Sequence, residues 1–331
     1  MSLTSELSRS GSPVRAYVEF VGTLVCETKR GSLLEEPAKK LLGFDTIPKT
    51  LAVAPIAGAN PGTVGTAFDY RLRYDLALYR CTDTVAAHSL LLVCGADPAL
   101  SQAVRAFLAD TDRLVADLAA DRCRLSDSDN RELIRRCVVL ALLESVFRSG
   151  MYTHLLPVPE ELINLVSDAV VTDVEALYRS ASTVFEPLAG PVRAEKVPYL
   201  ANPTFVGSLD VGGADADMLI GDVLVELKTT KALDGAALRS ALLQLVGYCL
   251  LDYDDTCGIR QVGVYFARQE LVRTWPVWML VFPPAEVVAW ANAGTGPDDD
   301  TVDGRLTLLR STMAAVTTGS ISDFTAALGA D

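Results

Sequence analysis

The chain lacks the patterns that would mark a zinc protein, an iron–sulfur protein or a membrane protein. Its seven cysteines (Cys26, Cys81, Cys94, Cys123, Cys137, Cys249 and Cys257) contain no Cys-x-x-Cys pair, so neither a zinc knuckle nor an iron–sulfur cluster is supported. The two histidines, His88 and His154, stand far apart. No Gly-x-x-x-x-Gly-Lys-Ser/Thr loop occurs, so a P-loop helicase is not expected within this sequence. The longest apolar run, Cys137 to Leu143, is far shorter than the roughly 20 residues that span a bilayer. Met1 to Pro13 is serine-rich and has no basic stretch leading into an apolar core. No secretory signal is therefore expected, and the expected compartment is the cytoplasm, with most cysteines packed as small reduced hydrophobes. Positive charge is scarce as well. Lys and Arg number 29 against 42 Asp and Glu, a net charge of −13, which argues against a tight, independent nucleic-acid binder.

What is present is a globular chain. Its 331 residues are 50% hydrophobic, enough for one large domain or two. Ser12-Pro13 is a helix opening, and the residues from Val14 to Cys26 are apolar enough to pack. A Gly/Pro/Ala-rich loop over 43–64 precedes an expected helix from Thr66 to Arg80. Three- and four-residue apolar spacing predicts helices over Pro98–Arg122, Asp129–Arg148 and Pro159–Thr183. Strand character starts near Phe205, followed by a hairpin over 214–229 and a helix from Leu233 to Asp252. Strands are expected at Arg260–Arg268 and Leu271–Val277, then a short helix after Pro283-Pro284. An acidic linker, Pro297–Asp303, leads to a last helix from Leu306 to Leu328, which is expected to pack on its own core or on another copy. This order gives an α/β fold with a mixed central sheet and a large helical elaboration before it. The expected division is 1–95 (N-terminal helices), 96–195 (helical insertion), 196–290 (core) and 291–331 (linker and last helix).

The most informative segment is the hairpin. Gly221-Asp222 sits between two apolar runs, as a two-residue turn requires. Ile220 then pairs with Val223, and counting outward puts Asp217 opposite Glu226. Side chains alternate along strands, so Asp215, Asp217 and Leu219 share a face with Leu224, Glu226 and Lys228. Two carboxylates roughly 5 Å apart on an apolar hairpin repel one another unless a cation lies between them. Asp217 and Glu226 suit Mg²⁺, with the Leu227 backbone carbonyl as a further ligand. Lys228 beside them suits activation of water or neutralisation of a phosphate oxygen. The alternative is a structural ion pair such as Asp215 with Lys228. On the following helix Gln244 and Tyr248, four residues apart, share a face. They are either ordinary satisfied polar groups or partners of Lys228 and a phosphate.

Gly213-Ala214-Asp215-Ala216-Asp217, then Glu226-Leu227-Lys228, then Gln244-x-x-x-Tyr248, resembles the PD-(D/E)XK nuclease superfamily in its RecB-like branch. The match covers roughly residues 200–275. The resemblance implies a restriction-endonuclease-like core, a Mg²⁺ or Mn²⁺ cofactor, and hydrolysis of phosphodiesters, usually in DNA, in bacterial defence or repair. It makes Asp217 and Glu226 metal ligands, Lys228 the catalytic lysine, and Gln244 and Tyr248 the helix motif. Many RecB-like members carry Gly-x-x-x-His and then Glu on an earlier helix. Here Gly65-Thr66-Ala67-Phe68-Asp69 keeps the spacing with Asp for His, and Arg73 stands in the Glu position. Asp69 is thus either a further metal ligand or an exposed helix carboxylate near Arg71 and Arg73.

Lys231, Arg239, Arg268 and Arg273 are the basic residues expected near the site, either as solvated faces or as a phosphate-contacting groove. Arg131, Arg135 and Arg136 lie on the helical insertion. The sequence therefore reads as a metal-dependent nuclease whose partner is nucleic acid, with a helicase or other protein supplied in trans. The alternative is a non-catalytic module of the same fold that binds a protein or serves as an assembly subunit.

Overall fold

The computed structural model describes residues 2–26, 40–43, 46–48, 50–76, 84–88, 98–120, 126–149, 158–321 and 323–327. After α1 (Leu3–Ser8), the Ser12 hydroxyl accepts the Arg15 amide and opens α2 (Pro13–Val21). Asn60 Oδ1 accepts the amides of Gly62 and Thr63, so α3 (Pro61–Leu76) starts more than a turn before the expected Thr66. Residues 77–80 of the expected helix lie outside the described residues. The helical part continues with α4 (Pro98–Ala120), α5 (Asp127–Ser149), α6 (Pro159–Leu165), α7 (Asp168–Val184) and α8 (Glu186–Arg193). The expected helix over Pro159–Thr183 is two helices, because the backbone turns extended at Val166 and Ser167.

Among the described residues the sheet holds five strands in the order β1 (Tyr199–Ala201), β2 (Met218–Ile220), β3 (Val223–Lys228), β4 (Gln261–Phe266) and β5 (Leu271–Pro276). Only β3 and β4 run parallel. A parallel pair needs a crossover, and α9 (Gly235–Leu251), capped by Asp234, supplies it. The first strand lies upstream of Phe205, which instead leads into a 3₁₀ turn over Val206–Val211. After α10 (Pro284–Ala293) comes a second correction. The acidic segment expected as a linker is the start of α11 (Asp299–Thr317): Asp298 accepts the Thr301 amide, and Asp299 and Asp300 occupy the first turn. Negative charge at a helix N-terminus opposes the macrodipole, so this acid run stabilises the helix instead of interrupting it.

Two apolar cores cover the two faces of the sheet. One face presents Leu219, Leu224, Val262, Val264 and Phe266 to α2, α9 and α11. The other presents Met218, Ile220, Val223, Val225 and Tyr265 to α3, α5 and α7. α11 packs on its own core through Leu306, Leu309, Met313 and Val316. α2 and α3, both placed within 1–95, lie on opposite faces of the sheet. α5 and α7 share a continuous core with it and do not form a separate insertion. No helix among the described residues is long and apolar enough to cross a membrane.

Candidate active site

The hairpin forms in the register that its turn dictates. Ile220 pairs with Val223 and Met218 with Val225, so the next position outward sets Asp217 opposite Glu226. Gly221 opens the turn at φ +61°, a conformation that glycine adopts without a Cβ penalty. Glu226 and Lys228 follow Leu224 on the face covered by α9, where an otherwise apolar strand turns charged at its end. The Leu227 amide donates to Asp217 Oδ2 at 2.6 Å, which pins one oxygen of that carboxylate across the hairpin. Lys228 Nζ donates to Glu226 Oε1 at 2.6 Å and reaches Gln244 Oε1 at 3.4 Å. Gln244 Nε2 in turn donates to the Tyr248 hydroxyl at 2.8 Å, and that hydroxyl donates to the Asp215 carbonyl at 2.8 Å. Asp217, Glu226, Leu227, Lys228, Gln244 and Tyr248 are therefore brought together as the sequence placed them. Asp215 is not the partner of Lys228; its side chain pairs with Arg148 at 2.8 Å.

The electrostatics are those of a site short of positive charge. Glu226 is 4% exposed, and its Oε2 is buried with no hydrogen-bond partner. Burial, and then the charge of Asp217, push the Glu226 carboxyl up to about 7. Asp217 is also raised, by burial and against the pull of Arg73. Burial works against the Lys228 ammonium, but contact with Glu226 outweighs it and holds the lysine charged. Tyr248 is raised well above its usual range by burial and by Glu226, so the phenol keeps its proton and acts as a donor. A carboxyl raised by folding stabilises the chain below its unfolded pKa, and that contribution is lost as pH climbs through the folded value. With chelator present, the wild-type melting temperature is expected to fall between about pH 5 and about pH 8 more steeply than that of Glu226→Gln. Parallel slopes for the two proteins in a thermal-melt series would refute this assignment.

A cleft of about 470 Å³ opens over these groups, lined from the sheet side by Asp215, Asp217, Glu226, Lys228, Thr229 and Thr230. Its other wall comes from α3 and the end of α5, with Asp69, Arg73, Glu144 and Arg148. The two walls approach closely: a Cβ on Gly65 would lie 2.9 Å from Thr229 Oγ1. Asp69, expected as a metal ligand or an exposed acid, is neither free nor exposed. Arg73 binds it through Nε at 2.8 Å and again through Nη2, and burial pushes the carboxyl well up.

None of the four basic residues expected to contact nucleic acid lines the cleft. Arg268 is a clear correction: it is 1% exposed and gives both terminal nitrogens to Asp173 at 2.9 Å. Arg239 pairs with Glu19 at 3.1 Å, and Arg273 donates to Thr46 at 2.7 Å on the far edge strand. Lys231 is exposed just beyond Thr230. On the helical part, Arg131 pairs with Glu175, Arg135 with Asp168 and Arg136 with Glu132. Besides Lys228, the cations that face the cleft are Arg73 and Arg148. Arg148 could have been suspected only from its helical spacing to Glu144; Asn202, also on the rim, has no sequence signal at all.

Among the described residues no three Asp, Glu, His or Cys side chains converge as a group that could hold a metal ion. The donor set is two carboxylates, Asp217 and Glu226, with Leu227 lining the cleft beside them. That set, with one buried Glu226 oxygen unpartnered, fits a single hard divalent cation. No protein-family model, curated protein or solved structure matches the chain.

Proposed function

We propose that the chain is a metal-dependent nuclease of the PD-(D/E)XK type, with DNA as its substrate. The observation that carries this reading is the buried, unpartnered Oε2 of Glu226, set opposite Asp217 while Lys228 occupies Oε1. A structural ion pair has no use for that second oxygen. A buried acceptor without a partner costs about 1–3 kcal/mol, more for a charged group, unless a ligand completes it. Asp217, Glu226 and the Leu227 carbonyl would hold Mg²⁺ or Mn²⁺, which when bound supplies Lewis-acid polarisation of the scissile phosphate.

The chain's own residues supply the rest. Lys228, steered by Glu226 and Gln244, presents an ammonium to the attacking water and to the charge that builds on the phosphoryl oxygens. Tyr248 anchors Gln244, and Gln244 in turn keeps Lys228 over the cleft. The Thr229 and Thr230 side chains line the path on which a phosphodiester would lie. The chain's net charge of −13 favours a protein partner, such as a helicase acting in trans, that brings the nucleic acid to the cleft.

The test is cleavage of linear, circular, single- and double-stranded DNA with Mg²⁺ or Mn²⁺, run beside Glu226→Gln. The wild type is expected to cut with either ion and to stop when the ion is chelated. The isosteric variant is expected to lose at least tenfold. A Glu226→Gln protein that cuts like the wild type would reject the assignment, and absence of cutting on every substrate would favour the non-catalytic module.

A further inference from the structure

The acids that line the cleft do not have equal standing. Five carboxylates (Asp69, Glu144, Asp215, Asp217 and Glu226) face three cations (Arg73, Arg148 and Lys228), a formal surplus of two negative charges when all five are ionised. Arg148 holds Asp215 at 2.8 Å and one Glu144 oxygen at 2.6 Å, while the Tyr70 hydroxyl holds the other Glu144 oxygen at 2.6 Å. Arg73 holds both Asp69 oxygens. The same guanidinium donates to Asn202 Oδ1, and its Nη2 lies 4.0 Å from Asp217 Oδ1. Arg73 is only 2% exposed, wedged between the two acids that a second metal ion would have to share.

We infer that the site takes one divalent cation, and that Arg73 is a resident second positive charge that keeps another ion out. This rests on the proposed metal-binding role of Asp217 and Glu226. The surplus of two charges is that of a single divalent ion. An arginine is a permanent substitute, since it stays charged at all working pH values and its planar fork grips Asp69 with two nitrogens at once. Without the guanidinium, Asp69, Asp217 and the Asn202 amide oxygen would bound a pocket of hard oxygen donors suited to the excluded ion. Arg73 is thus a positioning residue: it sets how many ions Asp217 serves.

The experiment is Mn²⁺ titration calorimetry on the full chain, joined to electron paramagnetic resonance of the loaded protein. The wild type is expected to bind one ion per chain and to give the spectrum of isolated Mn²⁺ up to saturation. Arg73→Gln is expected to raise the stoichiometry from one to two and to add an exchange-coupled signal. Two ions, or a coupled spectrum, in the wild type would overturn the inference and leave the nuclease reading standing. An Arg73→Gln protein that melts cooperatively but still binds one ion would overturn it too. If that variant does not fold, the wild-type spectrum decides alone. Failure of the wild type to bind Mn²⁺, or undiminished binding by Glu226→Gln, would instead strike the reading of Asp217 and Glu226 as metal ligands.

Discussion

Lys228→Ala is expected to lower metal-dependent cleavage by roughly 10²- to 10⁴-fold, the range typical of losing a positioned acid–base or charge-stabilising group. On the proposed reading the lysine is the cation beside the metal ligands, and among the described residues lining the cleft the other cations are Arg73 and Arg148. Both are engaged by carboxylates, Asp69 and Asp215 respectively. Lys228→Arg is not expected to restore the rate, since a guanidinium is bulkier and planar and cannot take the place of an ammonium held between Glu226 and Gln244. The loss should appear in kcat at saturating metal, because the ion's ligands are untouched. Steady-state rates at several Mn²⁺ concentrations separate the cases: a deficit that vanishes at high Mn²⁺ would mean the lysine only supports ion binding. A Lys228→Ala enzyme as fast as wild type would end the nuclease assignment.

The largest expected effect on stability lies outside the cleft. Arg268→Ala is expected to cost about 3–5 kcal/mol in chemical denaturation, since it strands Asp173 in the interior without its partner. Both groups are about 1% exposed, and two parallel bonds of 2.9 Å join them. Arg268 Nε also donates to the Thr229 carbonyl at 2.8 Å, and the Arg268 carbonyl accepts the amides of Ala52 and Val53. One residue thus ties α7, the end of β3 and the loop before α3 together. Replacing both charges with apolar side chains, Arg268→Met with Asp173→Leu, is expected to recover most of the loss. A single-variant loss below about 1 kcal/mol would show that water reaches Asp173.

The parts of the site that were legible in the sequence are those that local geometry decides. The turn at Gly221-Asp222 fixes the register, alternation fixes the face, and the four-residue step from Gln244 to Tyr248 fixes the helix contact. All of these lie within residues 215–248. The opposite wall was not legible, because its residues come from α3 and α5 and meet the hairpin only through tertiary packing. Arg268 shows the limit best. A basic residue just after a strand reads as solvated, and nothing near it in sequence signals that Asp173 waits for it on a helix 95 residues earlier. The acid run at 298–300 misled for the opposite reason: repeated aspartates suggest a linker, yet at a helix start they are caps and dipole partners.

The tight bend at Gly221 has a further consequence for how this protein tolerates insertions and deletions. One residue added between Ile220 and Val223 would advance the second strand by a single step and rotate every side chain on it to the reverse side. Glu226 and Lys228 would then point toward Tyr265 and α3, and Val225 and Leu227 would stand beneath α9, with no amino acid in either strand altered. The hairpin's reading frame is therefore as much a determinant of the chemistry as the charged residues themselves.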